Sequence, residues 1–179
     1  MKRLFVLLLV CLAVCGYCAL AEDAFDISAD TQQVEELGIP TVELVQKLKV
    51  DADNLWNAKD YKKAAKAYAE YAKKVNWLAN LVSAGLDPYY NATSSERKDY
   101  YPSDTEMRTS ALVKYERKAN EYKRERNRAI MREGLCYYNM NDYETALPLL
   151  LKALDLFDLN DEVENWKTTM NALYDIVGI

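Results

Sequence analysis

Apolar residues return every three or four positions in five separate stretches of this chain, and each stretch reads as an amphipathic helix with one buried face. The first follows Pro40, a residue suited to a first helical turn. It aligns Val42, Val45, Leu48, Ala52 and Leu55 as far as about Ala58. After a short break at Lys59-Asp60, Tyr61, Ala64, Ala65, Tyr68, Tyr71, Ala72, Val75, Leu78 and Val82 keep the spacing up to Gly85, a helix-ending residue. Ser103-x-x-Glu106 is a capping-box pattern. It opens a long stripe through Leu112, Tyr115, Ala119, Tyr122, Arg126, Ala129, Gly134 and Tyr137, unbroken until Asn139-Met140-Asn141. Roughly 35 residues rising 1.5 Å each span roughly 50 Å, so this helix is expected to pair antiparallel with the preceding one as an extended hairpin. A fourth helix, capped by Asn141 or Asp142, carries Tyr143, Ala146, Leu147, Leu150, Ala153, Leu154 and Phe157. A fifth buries Val163, Trp166, Met170, Leu173 and Ile176 or Val177. Between the second and third stripes, residues 86–104 read as a long polar loop with two tyrosine pairs, Tyr89-Tyr90 and Tyr100-Tyr101. The expected fold is all-α, and scarce glycine and proline (five and four) agree with long helices in place of a turn-rich sheet.

Shifted by 82 positions, the chain matches itself. Asn57-Ala58-Lys59-Asp60-Tyr61-Lys62-Lys63-Ala64 aligns with Asn139-Met140-Asn141-Asp142-Tyr143-Glu144-Thr145-Ala146, both N-x-x-D-Y-x-x-A between two apolar helices. The Asp caps the second helix, the Tyr ring fills the wedge where the helices cross, and the Ala lets them approach closely. In the second copy Ile130, Gly134 and Tyr137 precede the turn, and Ala146 and Leu150 follow it. The first copy has Leu48, Ala52 and Leu55, then Ala64 and Tyr68. This pattern resembles the tetratricopeptide repeat, W-x2-L-G-x2-Y followed by A-x3-F. Glu133 and Asp51 occupy the Leu slot, and the closing Pro is absent from both copies. Contiguous repeats lie roughly 34 residues apart, so about 48 additional residues extend the two central helices. The resemblance implies an antiparallel helical-hairpin array of two degenerate repeats, with a long central hairpin and a C-terminal capping helix. It also implies a binding groove lined by the first helix of each repeat, here Lys49, Trp56 and Asn57 with Arg128, Tyr138 and Asn139.

The start of the chain is of another kind. Met1-Lys2-Arg3 is basic, Leu4 to Ala21 carries no charge, and Ala19-Leu20-Ala21 ends it with small residues. This is the pattern of a cleavable signal peptide over residues 1–21, with cleavage after Ala21. It predicts a secreted or periplasmic protein with no transmembrane segment after cleavage. Residues 22–39 then form a flexible tether, with one helical turn at Thr31–Leu37 ended by Gly38, and residues 40–179 the helical domain. Three of the four cysteines leave with the signal. The remaining Cys136 reads as a small buried hydrophobe that can form no internal disulfide.

Loss of Lys2 and Arg3 leaves 21 basic against 28 acidic residues, a net charge of −7. The charge is uneven: Lys114 to Arg132 holds eight basic residues and three acids, hence +5, and the remainder is −12. Arg117, Lys118, Arg124 and Arg128 make this helix a candidate face for an anionic partner; ion pairs within the helix, such as Glu121–Arg124, are the simpler account. Nucleic acid does not fit an exported chain of this net charge.

No catalytic or metal constellation assembles. The chain contains no His, which removes His-based nucleophiles and His-metal sites. Ser95-x-x-Lys98 lies in the polar loop, away from the helix start that such a motif needs. Asp51, Asp53 and Asp60 lack calcium-loop spacing. Acid pairs such as Glu35-Glu36 and Asp161-Glu162 read as solvated helix positions. Asn91-Ala92-Thr93 is a glycosylation sequon on the loop. The expectation is an exported, non-enzymatic module without a cofactor that binds a protein or peptide, with Tyr89, Tyr90, Tyr100 and Tyr101 as further candidate contacts. The alternative is an envelope assembly subunit that forms homo-oligomers or binds an anionic envelope component through its basic helix.

Overall fold

The turns at 58–60 and 140–142 share one backbone arrangement. In this computed structural model, which describes residues 38–93, 95–96, 111–158 and 160–179, Ala58 N–H donates to the Asn54 carbonyl, Lys59 N–H to Trp56 and Asp60 N–H to Leu55. Met140, Asn141 and Asp142 donate to Cys136, Tyr138 and Tyr137 in the same order. Lys59 and Asn141 both take the left-handed conformation, each at φ 59°. That residue reverses the chain while the freed N–H groups satisfy carbonyls of the helix just ended. The next helix is capped in each case by aspartate: Asp60 Oδ1 accepts from Lys63 N–H at 3.3 Å and Asp142 Oδ1 from Thr145 N–H at 3.2 Å. Ala64 and Ala146, one turn further on, are fully buried.

These turns join α1 (Val42–Asn57) to α2 (Tyr61–Ala84), and α4 (Ala111–Asn139) to α5 (Tyr143–Leu156). A single helical turn, α3 (Asp87–Tyr90), follows α2, and α6 (Val163–Val177) closes the chain. The fold is all-α: five long helices pack antiparallel in sequence order, with no strand among the described residues. α1 lies on α2, α2 runs along α4, α4 packs on α5, and α6 rests on both α5 and α4.

The core is a seam of small and aromatic residues. Ala64, Ala65, Tyr68, Tyr71, Ala72, Val75 and Ala79 of α2 face Tyr122, Ala129, Ile130 and Cys136 of α4, with Ala146, Leu150 and Ala153 of α5 beyond. Alanine at the crossings brings backbones close. Gly134 goes further, since a Cβ there would stand 2.9 Å from Leu150 Cδ2.

Several expectations are corrected. Thr41, whose hydroxyl accepts from Leu44 N–H at 3.1 Å, is the cap of α1, so Pro40 precedes the helix instead of sitting in its first turn. Gly85 keeps a right-handed φ of −65°, and the chain bends onto buried Leu86 and into α3 where uninterrupted loop was expected. Pro88 is compatible with that short turn because an N–H in the first turn of a helix needs no partner. Thr93 and Glu96 form a reciprocal cap, with Thr93 N–H donating to Glu96 Oε2 at 2.7 Å. The Ser103–Glu106 pattern lies outside the described residues, as do the signal, the tether to Leu37, and Glu35-Glu36. Tyr115 is 58% exposed because it stands where α2 ends, and Tyr143 is 39% exposed on the outer side of its turn. As the last layer, α6 buries only a narrow stripe, Thr169, Ala172 and Leu173, and leaves Val163 and Val177 exposed.

Candidate functional site

Helical spacing turns three sets of side chains toward one cleft. Lys49, Asp53 and Trp56 lie four and three residues apart on α1, Tyr68 and Tyr71 three apart on α2, and Glu125, Arg128 and Arg132 three and four apart on α4. Seven of these eight, with Ala129, enclose a cleft of about 170 Å³, and Trp56 stands beside it.

Glu125 is the hub. Its Oε2 accepts from Lys49 Nζ at 2.7 Å and Tyr71 Oη at 2.8 Å, and its Oε1 from Arg128 Nη1 at 3.3 Å. Burial alone would raise this carboxyl. The hydrogen bonds from Lys49 and Tyr71, with the charges of Lys49 and Arg128, outweigh it and hold the group below the ordinary glutamate value. Arg128 also donates from Nε to Glu162 Oε1 at 3.0 Å. Glu162 is 3% exposed, which corrects its reading as a solvated acid: it starts α6, where packing on α4 encloses it. Its Oε2 has no hydrogen-bond partner among the described residues. Tyr68 Oη donates to Asp53 Oδ1 at 2.7 Å. Burial raises both tyrosine hydroxyls, reinforced by these carboxylates, so they remain protonated donors.

Arg132 is held differently. Its guanidinium carbon lies 4.6 Å from the Trp56 ring centre, and Trp56 is steadied edge-on by Tyr61 at 5.5 Å and Tyr68 at 6.5 Å. None of the ion pairs among the described residues involves Arg132. A contact of this kind consumes no acceptor, so the N–H groups of the guanidinium remain available to a partner's oxygen.

The residues expected to line a groove divide. Lys49, Trp56 and Arg128 come together here. Asn57 is exposed at the end of α1, Tyr138 Oη donates to Asp175 of α6, and Asn139 Nδ2 donates to the Leu135 carbonyl of its own helix. On the basic helix, Lys118 pairs with Glu121 at 3.0 Å, Arg124 with Asp161, and Arg128 with Glu125 and Glu162, whereas Arg117 is exposed. Three of the four cations of that face are therefore neutralised by the protein's own acids. Tyr90 is exposed; the Tyr89 side chain, Tyr100 and Tyr101 lie outside the described residues. Asp53, Tyr71, Glu125, Arg132 and Glu162 were not singled out as site residues in the sequence. Of these contacts only Glu125–Arg128 joins residues three apart on one helix, a spacing at which a sequence can show an ion pair.

Cys136 is fully buried, and burial pushes its thiol up to about 12, which suits a packing residue. Among the described residues no cluster of three metal-ligating side chains occurs, and no helix is long and apolar enough to cross a membrane. No protein-family model matches the chain, and comparison with curated proteins and with solved structures gives no match.

Proposed function

We propose that this chain is an exported, non-enzymatic binding module, built as a degenerate tetratricopeptide array, that receives an acidic segment of a partner protein in the cleft between α1, α2 and α4. What supports the architecture is the pair of turns with the same hydrogen bonds, helix cap and buried alanine. The observation that carries the function is Arg132, a guanidinium oriented by Trp56 at the cleft wall and engaged in no ion pair among the described residues. Lys49 and Arg128, already paired, add rigidity more than free charge. A carboxylate of the partner would accept from the N–H groups of Arg132 while its apolar neighbour packs on Trp56, a combination of anchors common at hot spots.

The experiment is selection of displayed random peptides on the chain from Glu22 onward, followed by affinity measurement of the enriched sequences. Enriched peptides are expected to carry a carboxylate next to an apolar residue, and Arg132→Gln or Trp56→Ala to weaken them tenfold or more. Peptides that bind both variants as tightly as the parent would overturn the assignment.

A further inference from the structure

A second concavity lies between α2 and α5, away from the cleft, and nothing in the proposed function uses it. Both helices pack on α4 but make little contact with each other, so α4 forms the floor of an open trough of about 440 Å³. Sites for small organic molecules run roughly 300–1,000 Å³. Its apolar lining includes Ile130 of α4 with Leu149 and Leu156 of α5. Three cations stand along the walls, Lys73, Arg126 and Lys152, against one acid, Glu133.

Arg126 gives the trough its direction. Its Nη1 donates to Asn76 Oδ1 at 2.8 Å, and its Nε and Nη2 donate to Asn127 Oδ1 at 3.0 and 2.9 Å. Asn127, 5% exposed, is fixed in turn by donating Nδ2 to the Leu156 carbonyl at 2.7 Å. Both partners are amides, which orient the guanidinium without neutralising it. Three of its five N–H groups are used among the described residues, which leaves two for a ligand. Glu133 forms no ion pair among the described residues, and burial raises its carboxyl, with the Lys152 charge acting in opposition.

We infer that the trough between α2 and α5 is a site for a small amphipathic monocarboxylate, its head on Arg126 and Lys152 and its aliphatic body along Ile130, Leu149 and Leu156. Charge and polarity choose this occupant. Three cations against one acid call for an anion, and the apolar lining calls for a hydrocarbon body. A carboxylate presents two oxygens, which matches the two N–H groups that Arg126 leaves unused among the described residues. The inference does not depend on the peptide cleft, since Arg126, Ile130 and Glu133 form a different stripe of α4 from Glu125, Arg128 and Arg132.

The test is calorimetric titration of the chain from Glu22 onward with decanoate at low salt, below the concentration at which it forms micelles. Saturable one-to-one binding is expected, at least tenfold weaker for butyrate. Arg126→Gln is expected to weaken decanoate tenfold or more, and Glu133→Gln to tighten it about threefold by removing a like charge. Should Arg126→Gln fail to fold, Lys152→Gln carries the test, with a several-fold loss expected. The site assignment is overturned by any of three results: no saturable decanoate binding, equal affinity in the Arg126 and Glu133 variants, or equal binding of decylammonium. Decyl phosphate binding more tightly than decanoate overturns the choice of a monocarboxylate.

Discussion

Replacing Gly134 by alanine adds one methyl group at the closest approach of α4 to α5. Its carbon would lie 2.9 Å from Leu150 Cδ2, 3.0 Å from Leu150 Cγ and 3.2 Å from Leu149 Cβ. Carbon atoms sit comfortably at about 3.5–4.0 Å, so three contacts are short by several tenths of an ångström or more. Leu150 is fully buried, so its side chain can withdraw only by displacing its core neighbours. Overpacking of this kind costs about 1–3 kcal/mol, and three simultaneous short contacts place it in the upper part of that range. Against it, alanine in a helix interior gains about 1 kcal/mol over glycine. The net expectation is a loss of about 1–2 kcal/mol. With a urea dependence of about 2 kcal/mol per molar, the middle of the usual range, the unfolding midpoint should fall by roughly 0.5–1 M.

The control is Gly85→Ala. A Cβ there meets the Val82 carbonyl oxygen at 3.4 Å and the Leu81 carbonyl oxygen at 3.9 Å, both ordinary contacts, and the backbone is right-handed, so stability should hold or rise slightly. The decisive measurement is the same Gly134 substitution in a Leu150→Ala background. Truncating Leu150 alone costs about 2–5 kcal/mol and opens a void beside Gly134. The added methyl then enters that void, and its effect should become neutral or stabilising. If Gly134→Ala is at least as stable as the parent, or if its loss persists unchanged without the Leu150 side chain, the packing account of this glycine is wrong.

Asp60→Ala and Asp142→Ala, which remove equivalent caps from equivalent turns, are expected to lower the urea midpoint by similar amounts; a loss at only one turn would show the two to be energetically unlike. Glu125 has a lowered carboxyl, so its stabilisation is present above the ordinary value of 4.5 and is lost as pH falls through the lower folded value; Glu125→Gln should flatten that acid limb in urea titrations. Glu133 has the opposite sign. Its raised carboxyl costs stability when ionised, so Glu133→Gln should be stabilising at neutral pH, and the gain should shrink as pH falls through the raised value toward 4.5. Cys136 should resist a thiol reagent at pH 8 until the protein unfolds, so that labelling tracks the unfolded fraction; rapid labelling of the native chain would contradict its burial.

Helices and their order were legible because burial of one helical face is a local property that repeats every three or four residues. The two turns were legible for a related reason. Asp60 and Asp142 act on residues three positions away, so their role is written within a few neighbouring letters. The short turn Asp87–Tyr90 has no apolar period to reveal it, and the exposed Tyr115, Tyr143, Val163 and Val177 follow a stripe that no helix among the described residues covers. Periodicity records which face is apolar; it does not record whether another helix reaches that far.

The candidate site was less legible because its contacts cross large separations in the chain. Lys49 lies 76 residues from Glu125 and Tyr71 lies 54 from it, whereas the one partner visible from spacing, Arg128, lies three away. The basic run on α4 illustrates the consequence. As a sequence it is a +5 segment, but Asp161 and Glu162, 37 and 34 residues beyond their partners, reach Arg124 and Arg128 when α6 packs on α4. A charge run therefore overstates the field that a partner would meet, since every acid brought in by tertiary packing cancels a cation. The cations proposed to bind are those oriented by uncharged groups. In this chain Arg132 lies over an indole and Arg126 between two amides, and these neighbours fix direction without removing charge. Each arginine opens on its own concavity, which is why binding is assigned to the cleft and the trough in preference to the exposed face around Arg117.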